Sequence, residues 1–215
     1  MQTTKPYAPP SPDSLVTLHE DEWIVVCDKP SGLLSVPGRG PEKAVCASSI
    51  LSERHGETLI VHRLDMDTSG LMVFARTKAA QRTLSMSFEK RLVEKQYEAL
   101  IEGAPSQDYG TINAAIAKHS LQRPLRHLDP NGREAITHWR ILDRGVNQTR
   151  VALKPETGRS HQLRLHMASL GHPILGDVFY GDENAHERLC LHARTLAFPH
   201  PSNGVMFHAD CDVPF

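Results

Sequence analysis

The chain has 215 residues, 40% hydrophobic and 23% charged, with 24 Lys and Arg against 25 Asp and Glu and a formal net charge of −1. The length suits one compact catalytic domain, and the near-neutral balance excludes a uniformly cationic nucleic-acid binder. No run approaches the roughly 18 apolar residues of a membrane span. The polar start, Met1-Gln2-Thr3-Thr4-Lys5-Pro6-Tyr7, is no signal peptide, so the expected location is the cytoplasm, with no membrane partner.

Charge is unevenly spread. Residues 118–166 hold ten Lys and Arg against four Asp and Glu, whereas residues 1–75 hold six against ten. A basic segment on an acidic body suggests a surface for a polyanion, although an ordinary solvated face has the same composition. Cys27, Cys46, Cys190 and Cys211 are scattered, as reduced buried thiols are. Among the 13 histidines, the near pairs His161/His166 and His186/His192 lack the i, i+4 spacing of a helical zinc site. No metal is expected.

In chain order, residues 1–14 read as a disordered leader and 15–215 as one domain. Short strands are expected over 15–18 and 23–27 around an acidic turn. Lys29-Pro30-Ser31-Gly32 then makes a rigid turn with a positive charge at a strand end, followed by an apolar run over 33–36, a mobile loop over 37–41 and a helix over 44–55 stopped by Gly56. Thr77 caps a helix over 78–90, whose buried ridge is Leu84, Phe88 and Leu92. Strands follow over 96–102 and 111–117, then an irregular basic stretch over 118–133 with Arg123, Arg126, His127 and Arg133. A hairpin pairs 135–142 with 149–153. Ser160 is the expected N-cap of a helix over 161–169, with Leu163, Met167 and Leu170 on its core side and Arg164 at the rim. Strands over 189–193 and 195–198 end the fold. This pattern predicts an α+β fold with a mixed, mainly antiparallel sheet flanked by helices.

Residues 62–70, His62-Arg63-Leu64-Asp65-Met66-Asp67-Thr68-Ser69-Gly70, stand out. They join two apolar runs, 58–61 and 71–75, that read as buried strands, and loops held by such a scaffold commonly carry catalytic groups. In an extended segment Arg63, Asp65 and Asp67 project to one face, and an arginine beside a carboxylate favours its charged form. A charged carboxylate in a cleft serves as nucleophile or general base. A plain turn, with Asp65 and Thr68 capping the chain before Gly70, is equally consistent with these residues.

Four blocks resemble the RluA-type pseudouridine synthases, over nearly the whole chain from about residue 15. Lys29-Pro30-Ser31-Gly32 is similar to the family's first motif, and His62-Arg63-Leu64-Asp65 with Thr68-Ser69-Gly70 to its catalytic motif. Lys95-Gln96-Tyr97 is similar to its lysine-x-tyrosine strand. The long third motif is matched by Thr157-Gly158-Arg159-Ser160-His161-Gln162-Leu163-Arg164-Leu165-His166, with Gly171-His172-Pro173-Ile174-Leu175-Gly176-Asp177 and Tyr180-Gly181. Together, and in this order, they are highly specific.

The resemblance implies an enzyme that isomerises uridine to pseudouridine within structured RNA. The N1 glycosidic bond breaks, the uracil turns, and a carbon–carbon bond forms through C5. Asp65 would be the essential carboxylate, paired with Arg164, and Tyr97 would pack on the target base and assist proton removal from C5. Arg63 would fill the space of the flipped base, Leu163 would line the pocket, and His62, Lys29, Arg159 and Arg126 would complete the substrate-binding set. The isomerisation is redox-neutral, so no cofactor is implied. With only about fourteen residues before the first strand, an S4-type domain has no room, and the chain is similar to the short single-domain branch. That branch implies a tRNA anticodon stem-loop (uridine 32) and a 23S rRNA hairpin (uridine 746) as substrates, for a monomer with no protein partner. The alternatives are a synthase for a different rRNA site or a non-catalytic RNA-binding protein. A serine hydrolase is disfavoured because no Gly-x-Ser-x-Gly elbow is present.

Overall fold

The computed structural model describes residues 6–119 and 124–215. Arg123 lies outside the described residues. In chain order the elements are β1 (Val16–Glu20), β2 (Ile24–Lys29), α1 (Ala47–His55), β3 (Leu59–Ile60), β4 (Ser69–Ala75), α2 (Lys78–Glu89), β5 (Glu94–Glu102), β6 (Tyr109–Asn113), β7 (Ile116–Lys118), β8 (Arg126–Leu128), β9 (Ile136–Arg144), β10 (Gln148–Pro155), α3 (Gln162–Ser169), β11 (Leu191–Pro199) and β12 (Met206–Asp210). They fall into two compact units, Met1–Val93 with Leu196–Cys211, and Glu94–Thr195 with Asp212–Phe215. Each is α+β around a mainly antiparallel sheet, as the strand-rich pattern predicts. None of the helices among the described residues is long and apolar enough to cross a membrane.

In the first unit the strand order is β1-β2-β4-β11, with β3 on β4 and β12 on β11. Every residue of β4 is buried, which explains why its sequence is a continuous apolar run rather than an alternation. Ile24, Val26, Leu71 and Val73 pack with Ala80 and Leu84 of α2 and with Leu196 and Phe198. Thr77 caps α2 as expected, its Oγ1 accepting the Ala80 N–H at 3.1 Å. Leu92 does not continue the buried ridge. The helix ends at Glu89, Arg91 turns into the left-handed region (φ 57), and Leu92 is 51% exposed.

One further observation concerns the N-terminal segment. In the expected leader, the chain is tied down from Tyr7 onward. The Tyr7 hydroxyl donates to the Val45 carbonyl (2.9 Å) and accepts the Leu34 N–H (3.1 Å). Arg54 donates to the carbonyls of Pro12 (2.7 Å) and Leu15 (2.6 Å). One phenol and one guanidinium supply the partners that a proline-rich segment cannot supply for itself.

In the second unit the order is β11-β5-β10-β9-β6, and β7 and β8 pair as a separate ribbon. Its core gathers Ala99, Ile101, Trp139, Val151, Leu153, Leu163, Met167 and Ile174. The strand expected over 111–117 is two strands, broken where the Ala114 N–H turns to the Ala135 carbonyl at 3.1 Å. The expected irregular stretch contains β8, with Lys118 opposite Arg126. The last two expected strands are one, β11, and β12 is an addition. Helix α3 starts one residue later than expected: His161, in the left-handed region at φ 59, is its N-cap, and Ser160 does not cap it. Leu170 ends the helix and is exposed rather than core.

Candidate active site

In the first unit, residues 64–67 are clamped backbone group by backbone group. Ser35 Oγ donates to the Leu64 carbonyl (2.8 Å) and accepts the Leu64 N–H (3.1 Å). The Met66 carbonyl accepts from the Lys29 ammonium (2.9 Å) and the Gly32 N–H (3.0 Å), and the Asp67 carbonyl accepts from Ser31 Oγ (2.7 Å). The Thr68 N–H closes the turn on the Asp65 carbonyl at 3.2 Å. Satisfied buried backbone leaves a loop little freedom, so Asp65, half-buried, is carried on a rigid turn. The turn at Met66 and Asp67 ends the extended alternation expected for Arg63, Asp65 and Asp67. Arg63 is exposed and Asp67 half-buried.

Lys29 does not face solvent. It is fully buried, and its ammonium also donates to the carbonyls of Pro30 (2.9 Å) and Leu33 (2.8 Å). Its expected role on the substrate becomes one of holding the Asp65 turn, the chemical reason being that a buried ammonium needs several acceptors. His62 is likewise built into the scaffold. Its Nε2 accepts the Val73 N–H at 3.1 Å, and its ring stacks on Phe88 at 4.7 Å and 24°. A backbone N–H can only donate, so the His62 proton sits on Nδ1.

In the second unit, Arg164 is only 2% exposed and forms a bidentate pair with the wholly buried Asp177. Its Nε reaches Oδ2 at 2.7 Å and its Nη2 reaches Oδ1 at 2.6 Å. Oδ1 also accepts the N–H groups of Phe179 (2.9 Å) and Tyr180 (3.2 Å), while the rings of these two residues lie 5.1 and 5.6 Å from the guanidinium carbon. Arg164 is therefore not at a rim but buried against the Asp177 carboxylate and the faces of Phe179 and Tyr180. A planar fork fits such a setting and a lysine would not. Gly176 makes the preceding turn possible: at φ +71, a Cβ there would stand 2.0 Å from the Arg188 carbonyl oxygen.

The loop before α3 is held by Gln162. Its Oε1 accepts from Thr157 Oγ1 (2.8 Å) and the Arg159 N–H (3.0 Å), and its Nε2 donates to the Ile136 carbonyl (2.9 Å) and Thr137 Oγ1 (3.0 Å). His166, buried, continues the chain from Thr137 Oγ1 to the Ala114 carbonyl, and burial holds its pKa below the ordinary imidazole value despite that carbonyl. Arg159 is half-buried and donates from Nε to the Glu134 carbonyl at 2.9 Å. Arg126 turns Nη1 onto the carbonyls of Pro124 (2.8 Å) and Leu125 (3.0 Å) in its own loop. Tyr97 and Leu163 come together on the same core cluster. Lys95, two residues before Tyr97 and so on the same strand face, is desolvated, which lowers its pKa.

Thus Lys29 holds the clamped turn that carries Asp65 in the first unit, and in the second Tyr97 and Leu163 share a core cluster while Arg164 is buried against Asp177. A family model described as RNA pseudouridylate synthase matches residues 23–169. The chain belongs to the RluA-type RNA pseudouridine synthases. It is 46% identical over 213 residues to the dual-specificity RNA pseudouridine synthase RluA of Haemophilus influenzae, covering 96% of this chain and 97% of the relative. The enzyme of the same name from Escherichia coli K12 is 43% identical, again over 96% and 97%. Among solved structures, human RNA pseudouridylate synthase domain containing 1 is similar with a TM-score of 0.82 and 29% identity, over 97% of this chain and 87% of that one. The chain is accordingly an isomerase that modifies RNA.

Residues left without a role by sequence reasoning are Ser35, Gln162, Asp177 and Phe179. Asp177 and Gln162 lie inside quoted motifs. Their signal was an acid and an amide beside apolar runs, where a buried polar group requires partners. Ser35 and Phe179 carry no such signal.

Proposed function

We propose that this synthase acts on exposed uridines of a tRNA anticodon stem-loop and a 23S rRNA hairpin, uridines 32 and 746, in the cytoplasm and through Asp65. The observation that carries the reading is the clamped turn of residues 64–67. Four backbone groups are held by Lys29, Ser31, Gly32 and Ser35, and Asp65 is carried on the turn they hold. Preorganisation of this kind is what a reacting group needs. In this reading Asp65 acts on the sugar as N1 leaves C1′, by attack or by taking the 2′ proton. The uracil turns, C5 bonds to C1′ as the Asp65 oxygen leaves it (or as the 2′ proton returns from Asp65), and the C5 proton is released as N1 regains one, so atoms balance without a cofactor.

Tyr97 would pack against the extruded base and Leu163 would line its pocket, stacking being worth about 1–3 kcal/mol per base against an unstacking cost of a few kcal/mol. Arg63, exposed beside Asp65, would enter the vacated space. The basic segment with Arg126 and Arg159 would follow the phosphates. Two curated relatives named dual-specificity, from Haemophilus influenzae and Pasteurella multocida, at 46% and 47% identity, support two substrates. The test is tritium release from stem-loop RNAs labelled at uracil C5. Release from both RNAs by the native chain and none by Asp65→Asn, with RNA binding kept, is expected. Release from other rRNA hairpins only would reassign the substrate, and binding without release from any RNA would leave a binding protein.

A further inference from the structure

Tyr180 is tied in two directions. Its Oη accepts the backbone N–H of Arg126 at 2.9 Å, where β8 begins, and stands 2.8 Å from Nδ1 of His161, the N-cap of α3. With one hydrogen accepted, the phenol has its own hydrogen to give to that imidazole. Burial raises the Tyr180 pKa, so the hydroxyl keeps its hydrogen at neutral pH. The ring does something else: its centroid lies 5.6 Å from the Arg164 guanidinium carbon, and its edge meets His161.

The ribbon at the other end of this link cannot hold itself. Strands β7 and β8 have three residues each and pair only with one another, and a two-stranded hairpin is marginal in water. It carries Lys118 opposite Arg126, with His127 beside them. Among the described residues, it is tied to the rest of the unit by the Ile116 bridge to Arg133 and by the Arg126 N–H on Tyr180.

We propose that Tyr180 is a positioning residue with two separable jobs. Its hydroxyl sets the basic ribbon for RNA binding, and its ring sets Arg164 for turnover. This rests on the proposed roles of Arg164 and the basic segment. Tyr180→Phe deletes only the hydroxyl, leaving the ring over Arg164, and is expected to raise KM for stem-loop RNA about tenfold, the value of the lost bond to the Arg126 N–H, with kcat within about twofold. Tyr180→Leu removes the ring face as well and should lower kcat by a further factor of about ten.

Lys118→Ala supplies the independent check. It should weaken RNA binding in the native chain and do so less in the Tyr180→Phe background, because the ribbon is already displaced. Equal changes in kcat and KM for Tyr180→Phe, or a full Lys118 effect in both backgrounds, would overturn the inference. Asp65→Asn in the same assay keeps the two readings apart. If it is active, the catalytic reading falls, whereas the ribbon link is still decided by direct binding of Tyr180→Phe to the RNA. If Asp65→Asn is dead and Tyr180→Phe binds and turns over like the native chain, only the Tyr180 inference falls.

Discussion

The ammonium of Lys29 donates to the carbonyl of Met66 at 2.9 Å, one residue beyond Asp65. A residue at the end of β2 thereby fixes the turn that carries the proposed catalytic carboxylate, and it does so from a fully buried position. The first motif and the catalytic motif are thus one structural object.

Lys29→Met tests that object. The carbonyls of Pro30, Leu33 and Met66 lose their shared donor, Met66 keeping the Gly32 N–H, and leaving a buried acceptor unmet costs about 1–3 kcal/mol, offset in part by no longer burying a charge. We expect a loss of about 2–4 kcal/mol in urea unfolding and a fall in kcat larger than the rise in KM. Native stability together with native kcat would show that the turn holds itself.

Arg164 and Asp177 should behave as a coupled pair. Removing one partner of a buried ion pair typically costs about 3–5 kcal/mol, so Arg164→Ala and Asp177→Ala should each destabilise by that order. The double substitution should cost clearly less than the two added together. Denaturant midpoints of all four proteins measure this, and simple additivity would mean the pair is not coupled.

Stability should fall as acid is added, and His192 sets the sign. Burial first, then the neighbouring Arg188 and Arg194, bring its pKa down to about 4. The unfolded chain binds the proton near pH 6.5. Between those values the unfolded state holds more protons, so the contribution present above pH 6.5 is lost as pH falls toward 4, on the order of 3 kcal/mol. The lowered pKa of His166 acts in the same direction. Urea midpoints at pH 7, 5.5 and 4.5 should converge between the native chain and His192→Gln. Parallel curves would remove His192 from the account.

RNA affinity should drop steeply with salt. Each phosphate neutralised by the basic segment adds a slope of about −0.7 to −0.9 in log K against log salt. Lys118→Ala should lower the magnitude of that slope by about one. A flat affinity between 50 and 200 mM salt, values in the range where the effect is usually large, would show that the basic segment 118–166 does not face the phosphates.

Local order was legible in the sequence wherever local chemistry decides it. The Thr77 cap, the buried run of β4, the β9–β10 hairpin and the glycine stop at Gly56 all follow from residues close in the chain. The four family motifs likewise identified the synthase, because each is a short run with fixed spacing. What the side chains do at long range was not legible. Lys29 reads as an exposed charge until Met66 folds over it, and Arg164 reads as a rim residue until Asp177, thirteen residues on, closes beneath it. A buried charge is tolerated only where acceptors converge on it, and that convergence is a property of the tertiary structure. The sequence by itself determined which residues form the turn around Asp65 and which family the chain joins. Only the folded chain decided that Lys29, Ser35, Gln162 and Asp177 are the groups holding the candidate residues in place.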